Sequence, residues 1–171
     1  MEQQECVILV DQQNNQLGIM EKLEAHKRAV LHRAFSIFIF NPNGQLLLQQ
    51  RALTKYHSAG LWTNTCCSHP RPGEDNMEAA HRRLREEMGF DCALEEKFHF
   101  IYKATLENGL TEHELDFIYT GLFDGDITVN KDEVSGYRWI SMNELIADVK
   151  LNPQQYTSWF RIILEEYVHH L

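Results

Sequence analysis

The sequence predicts an α/β fold, a single domain in which helices cover both faces of one mixed sheet. Three observations carry that prediction. Strand-like apolar runs alternate with amphipathic helical stretches, the mixture that packs in layers around a sheet. Ala34 to Phe40 is nearly all apolar, with Phe35, Ile37 and Ile39 on one face and Phe38 and Phe40 on the other, as in a strand buried on both sides. The length of 171 residues suits one sizeable core, and no repeat or linker rich in Gly, Pro or Ser divides it. The whole chain, 1–171, is therefore read as one domain. Its core lies at about 30–150, with an N-terminal segment and a C-terminal helix flanking it.

Each element follows from local signals. Cys6 to Val10 reads as a short strand and Glu21 to Arg28 as a brief helix or irregular segment. Asn41-Pro-Asn-Gly44 is a strong turn signal, and Gln45 to Gln50 reads as the strand paired back across it. Thr54 to Gly73, which holds Gly60, Pro70, Pro72 and Gly73, reads as a long irregular functional loop. Asp75-Asn-Met-Glu78 is a capping-box-like start. Ala80, Leu84 and Met88 follow at helical spacing and Gly89 is a natural stop, so a helix is expected over Asn76 to Met88. Phe98 to Leu106 and Glu112 to Phe123 are expected strands joined across Asn108-Gly109, and Gly136 to Ile140 is another. Ser141 and Glu144 open a further helix. Beyond Pro153, Tyr156, Phe160, Ile163 and Tyr167 line one face of a final helix.

Composition narrows the class of protein. Hydrophobic residues make up 43% and charged residues 24%, an ordinary water-soluble balance. No apolar run approaches the roughly 18 residues of a membrane span. Met1 to Cys6 is polar and acidic, unlike a signal peptide, so a cytoplasmic protein is expected. A net charge of −9 argues against a broad nucleic-acid surface. A small anionic substrate stays compatible with it, because salt screens exposed charges beyond about 8 Å and leaves a local basic cluster its own field. Cys6, Cys66, Cys67 and Cys92 show no paired C-x-x-C spacing, which argues against a zinc knuckle. Reduced thiols are expected.

Chemistry concentrates in two places. The expected helix ends in Arg82-Arg-Leu-Arg-Glu86-Glu87-Met-Gly89. Adjacent glutamates there repel unless a cation compensates; they read either as a solvated acidic turn or as a holder for a hard cation beside phosphate oxygens. Glu112 and Glu114 are two apart in an expected strand, so both side chains leave on one face and His113 on the other. Taken singly, His26, His32 and His69 read as ordinary histidines.

The segment Ser68 to Phe90 resembles a Nudix box: Glu74, Arg82, Leu84, Glu86, Glu87, Gly89 and Phe90 match the pattern. Ser68 replaces its first glycine, and Arg83 replaces the glutamate after the arginine. That second departure weakens a carboxylate cluster for hydrolysis and offers a cation to phosphate. The preceding loop, Trp62-Thr-Asn-Thr-Cys-Cys67-Ser-His69-Pro70, resembles the signature of the isopentenyl diphosphate isomerases. Further stretches of the same family's pattern follow in order: Glu21-Lys22, Ala25-His26, His32-x-Ala-Phe-Ser36, Gln50-Arg51-Ala-Leu-x-Lys55, Tyr102-Lys-Ala-Thr105, Glu112-His-Glu114 and Trp159. The resemblance covers roughly residues 5–165.

The resemblance implies a Nudix-like α/β/α sandwich and an isomerase that interconverts isopentenyl and dimethylallyl diphosphate. It implies a divalent metal, Mn²⁺, Mg²⁺ or Zn²⁺, on His26, His32, His69, Glu112 and Glu114. Five such ligands leave room for a sixth, and mixed N/O ligation without thiolate suits those ions. It implies a second Mg²⁺ bridging Glu87 and the substrate diphosphate. Lys22, Arg51, Lys55 and Arg83 are expected to bind that diphosphate, with Arg71 as a weaker extra. Cys67 and Glu114 are the expected proton-transfer pair, Glu114 acting through Tyr102 and Cys67 accepting as a thiolate favoured by nearby cations. Trp159 is expected to shield a developing carbocation. His57, His81 and Cys66 are assigned no catalytic part. The expected partner is a small-molecule diphosphate, with no nucleic acid and no membrane. A monomer is the expected state, a weak dimer the alternative. A Nudix diphosphate hydrolase and a non-enzymatic metal-binding module are the competing readings.

Overall fold

The computed structural model describes residues 4–171, so Met1, Glu2 and Gln3 of the polar N-terminal stretch lie outside the described residues. The sheet is built around strand β3 (His32–Phe40). Strand β8 (Thr111–Leu122) runs parallel to it along its whole length, from His32 opposite Glu114 to Phe40 opposite Leu122. On the other side β6 (Cys66–Ser68) pairs antiparallel, with Ser36 opposite Cys67. Strand β1 (Cys6–Val10) meets β3 at its start, β4 (Leu46–Arg51) at its end, and β7 (Leu94–Thr105) continues the sheet beyond β8.

The double-sided burial expected of β3 is present. Phe35, Ile37 and Ile39 pack with Leu84 and Met88 of helix α2 (Asn76–Met88). Phe38 packs on the opposite face with Trp159, Phe160 and Ile163 of helix α4 (Ser158–Glu166). Helix α2 spans the residues its local signals predict. The Asp75 carboxylate accepts the N–H groups of Met77 and Glu78, satisfying donors that a helix start leaves free, and Gly89 ends the helix at φ 75°.

Three expectations differ from the structure. Strand β2 (Gln16–Glu21) has no counterpart in the sequence reading: among the described residues it is an edge strand pairing only with β1 and none of its residues is buried, so it carries no core-facing alternation. The expected β3–β4 hairpin reduces to one pair, Phe40 opposite Leu46; β4 pairs instead with β9 (Val134–Ile140) and with β5 (Trp62–Thr63). The cause lies in the segment read as irregular loop, which wedges between the two strands. Thr65 Oγ1 accepts the Ile39 N–H at 2.9 Å and donates to the Leu47 carbonyl at 2.6 Å, taking the place of direct strand pairing. The final helix is shorter than expected: Tyr156 precedes it in extended backbone and Tyr167 caps its end.

Candidate functional site

One face of the sheet collects the chemistry. His32 and Ser36 on β3, Cys67 opposite Ser36, Glu114 opposite His32, and Tyr102 on β7 opposite Glu114 all follow from register. Side chains paired across strands share a face, and alternate residues return to it. A cleft opens there. It is lined by Cys67, Glu114, Tyr102, Trp159, Glu112, His69 and Glu87, and by all four expected diphosphate cations, Lys22, Arg51, Lys55 and Arg83. His26, from helix α1 (Lys22–Arg28), and His32 lie fully buried behind it.

Whether these residues suit a metal can be judged from their unpartnered atoms. His26 Nδ1 donates to the Lys22 carbonyl at 2.7 Å and His32 Nδ1 to the Val30 carbonyl at 2.8 Å. Each carbonyl fixes the proton on Nδ1 and turns the Nε2 lone pair inward. Both Nε2 atoms are buried and lack a hydrogen-bond partner among the described residues, a state that costs roughly 1–3 kcal/mol apiece. Donor atoms of His26, His32, His69 and Glu114 lie within 4.8 Å of one another. This nitrogen and oxygen set fits a divalent ion. Glu112 stands to one side, 3.8 Å from His26 Nε2.

Two buried carboxylates share one phenol. Tyr102 Oη lies 2.7 Å from Glu112 Oε2 and 2.7 Å from Glu114 Oε2. Burial raises the pKa of both, but contacts from His32 and His69 hold Glu114 well below the usual carboxylate range. Glu112 is pushed upward by burial and by the Glu114 charge. Burial lowers His69 to about 4, keeping it a neutral donor suited to metal.

Cys67 has a different setting from the one expected. Its thiol is pushed up to about 12, first by burial and then by the charge of Asp116. No cation relieves it: the Arg51 guanidinium stacks instead on the Trp159 ring at 5.4 Å. Burial therefore favours a thiol where the sequence leads one to expect a thiolate aided by nearby cations. Asn64 Oδ1 lies 2.9 Å from Sγ and accepts its proton, while Trp159 Nε1 donates to Sγ at 3.1 Å. Cys66 faces the other side of β6, as strand alternation requires, and its thiol donates to the buried Glu87 carboxylate.

Three of the four cations expected at the diphosphate already face carboxylates, and Arg51 does not. Lys22 pairs with Glu5, and Lys55 lies 3.5 Å from Glu133. Arg83 reaches Glu86 and Glu133 at 2.6 Å and Glu87 at 3.3 Å. Arg82 grips Glu74 through two bonds, 2.7 and 2.9 Å. The glutamate pair at the end of α2 thus has the compensating cations that its repulsion demands. Arg71 is exposed in an adjoining groove and does not line the cleft. His81 pairs with Asp91 at the surface, and His113 turns away to the Ala29 carbonyl.

Several residues at the site are given no part by the sequence reading. Asp116 continues the alternation of Glu112 and Glu114 on the same strand face, a signal that was available; its Oδ2 accepts from Ser36 Oγ at 2.8 Å. Asn64 stands within the loop motif. His57 is buried in the cleft, its Nε2 3.6 Å from Glu112 Oε1, with burial and Arg51 holding it down to about 3. No periodicity in a loop announces such a position.

Comparison with known proteins identifies the family and the fold. The NUDIX domain family profile matches residues 30–160. A protein of Pectobacterium atrosepticum named isopentenyl-diphosphate Delta-isomerase is 53% identical, the match covering 91% of this chain and 87% of that one. The isopentenyl-diphosphate Delta-isomerase 2 of Photorhabdus laumondii is 52% identical, over 94% of this chain and 90% of its own. A crystal structure from Deinococcus radiodurans superposes with a TM-score of 0.77 at 17% identity, covering 95% of this chain and 99% of the other, and speaks to fold alone.

Proposed function

The chain belongs to the NUDIX domain family and, within it, to the isopentenyl-diphosphate Delta-isomerases, and from that premise we propose that it interconverts isopentenyl and dimethylallyl diphosphate. One observation carries the reading beyond the relatives' names. Cys67 and Glu114 come from strands on opposite sides of β3, share one face of the sheet and open into one cleft. Shifting the double bond needs a proton added to the terminal methylene and another removed from the carbon next to the CH₂–O group. Two proton-handling groups on different walls suit that requirement.

Glu114 and Tyr102 hold one of those protons, and Cys67 Sγ handles the other; in the reverse direction the roles exchange. Protonating an alkene creates tertiary cation character, and the indole of Trp159 stabilises it by roughly 0.5–2 kcal/mol while excluding water. Lys22, Arg51, Lys55 and Arg83 orient the diphosphate, so that the five-carbon tail points toward Cys67. The divalent ion would be held by His26, His32, His69, Glu112 and Glu114, with Mn²⁺, Mg²⁺ and Zn²⁺ all compatible with the donors, and when bound it supplies the charge that keeps Glu114 in place. Glu87 would hold a second ion, Mg²⁺, against the diphosphate oxygens.

A monomer acting on a small molecule in the cytoplasm completes the reading; among the described residues no helix is long and apolar enough to cross a membrane. The test is incubation with Mg²⁺ and isopentenyl diphosphate. Appearance of the acid-labile allylic isomer supports isomerisation. Release of inorganic phosphate from nucleotide diphosphates without that isomer would favour hydrolysis instead.

A further inference from the structure

We propose that His57 is a sixth protein ligand of the divalent ion, completing a shell of four imidazoles and two carboxylates that leaves no position for water. The inference rests on the reading of His26, His32, His69, Glu112 and Glu114 as the metal-holding set.

The donors fall into two groups that share His26. One is His26, His32, His69 and Glu114; the other is His26, His57 and Glu112, and within each the donor atoms lie within 4.8 Å of one another. Bonds of about 2.1 Å place neighbouring ligands about 3.0 Å apart and opposite ones about 4.2 Å apart. The imidazole–carboxylate separations of 3.0, 3.4, 3.6 and 3.8 Å fall between those two spacings, and the two groups, which do not merge within 4.8 Å, must draw together on a bound ion. Glu112 lies outside the first group, and its Oε1 is nearest to His57 Nε2 at 3.6 Å and His26 Nε2 at 3.8 Å. An ion that binds both Glu112 Oε1 and His26 Nε2 has His57 Nε2 in the same cluster of donors.

The His57 ring is held for that task. It is buried, stacks on His26 with centroids 5.7 Å apart, and meets Trp159 edge-on at 5.9 Å. Its Nδ1 lies 3.2 Å from Ser58 Oγ, which leaves Nε2 free to face Glu112, and Arg51 holds its carbonyl at 3.2 Å. Ser58 adopts a left-handed φ of 53° while the Glu107 carboxylate accepts its N–H. A non-glycine residue there is strained, and the surrounding contacts must maintain it. A closed shell also separates this ion from a hydrolytic one, which needs an open position for a nucleophilic water.

The test uses the full chain loaded with Mn²⁺ and free of substrate. Water-proton relaxation counts inner-sphere water, and pulsed electron paramagnetic resonance counts coupled imidazole nitrogens. The wild-type protein should show no inner-sphere water and four nitrogens. His57→Ala should gain about one water, lose one nitrogen, and bind Mn²⁺ roughly 10- to 100-fold more weakly. One inner-sphere water and three nitrogens in the wild type would overturn the proposal without any variant. His32→Ala separates the two readings. If it abolishes Mn²⁺ binding while His57→Ala changes nothing, only His57 is wrongly assigned; if it leaves binding intact, the metal set itself fails.

Discussion

The indole N–H of Trp159 donates a hydrogen bond to the sulfur of Cys67 at 3.1 Å. A residue on the C-terminal helix is thereby tied to the proposed proton-transfer group on β6. The contact favours a negative sulfur, and it works against the burial that raises the thiol. Trp159→Phe keeps a ring over the cleft and removes only the donor. A lost hydrogen bond is worth roughly 0.5–1.5 kcal/mol, so kcat should fall about 2- to 10-fold while KM changes little. Steady-state kinetics of the variant checks this; an unchanged kcat would show that the N–H contributes nothing to turnover.

Cys67→Ala and Glu114→Gln should each lower turnover by roughly 10²–10⁴-fold, the usual weight of a positioned proton-transfer group. Circular dichroism should show both still folded. Near-normal turnover in Cys67→Ala would sink the two-sided mechanism.

The acid constant of Cys67 predicts a pH profile. A thiol pushed up to about 12 is almost wholly protonated at neutral pH. Only the thiolate is alkylated, so iodoacetamide labelling at Cys67 should quicken about tenfold per pH unit up to pH 10, with no plateau. Peptide mapping of the metal-free protein reads that site alone. A plateau near pH 7 would mean that a cation does reach the sulfur.

Arg51 stacks on Trp159 and also holds the carbonyl of His57. Arg51→Ala should raise KM for isopentenyl diphosphate by about 10-fold or more, since a charge-assisted contact to phosphate is worth roughly 1.5–3 kcal/mol. If KM stays put and only kcat falls, Arg51 serves the aromatic cap and not the diphosphate.

Stability has a sharp test at Gly89, whose φ of 75° ends α2. An added Cβ there would meet the Thr128 carbonyl oxygen at 2.1 Å. Gly89→Ala therefore suffers both backbone strain and a clash with backbone, a loss of roughly 2–3 kcal/mol. At this chain length that corresponds to a fall in Tm of about 5 °C or more. Thermal unfolding followed by circular dichroism measures it.

Local physics made part of this protein legible from its sequence. Helix α2 could be bounded at both ends because the Asp75 cap and the Gly89 stop act within a few residues of the helix they delimit. Strand alternation alone put Glu112 and Glu114 on one face, turned His113 away, and predicted a β3 buried on both sides. The motif around Trp62 to Pro70 carried the family resemblance, because residue identity and spacing survive without coordinates.

Tertiary structure decided what depends on contacts between distant segments. Thr65 splits β3 from β4 through bonds to Ile39 and Leu47, 26 and 18 residues away, and no local propensity encodes such a wedge. The Cys67 thiol is governed by burial and by Asp116, 49 positions along the chain, so the sequence could name the sulfur but not its proton. His57 comes beside His26 and Glu112 only when loop, helix and strand converge. Helix capping and strand alternation act over a few residues and can be read along the chain; strand pairing, burial and electrostatics depend on whatever is nearby in space, and only the folded arrangement says what is near.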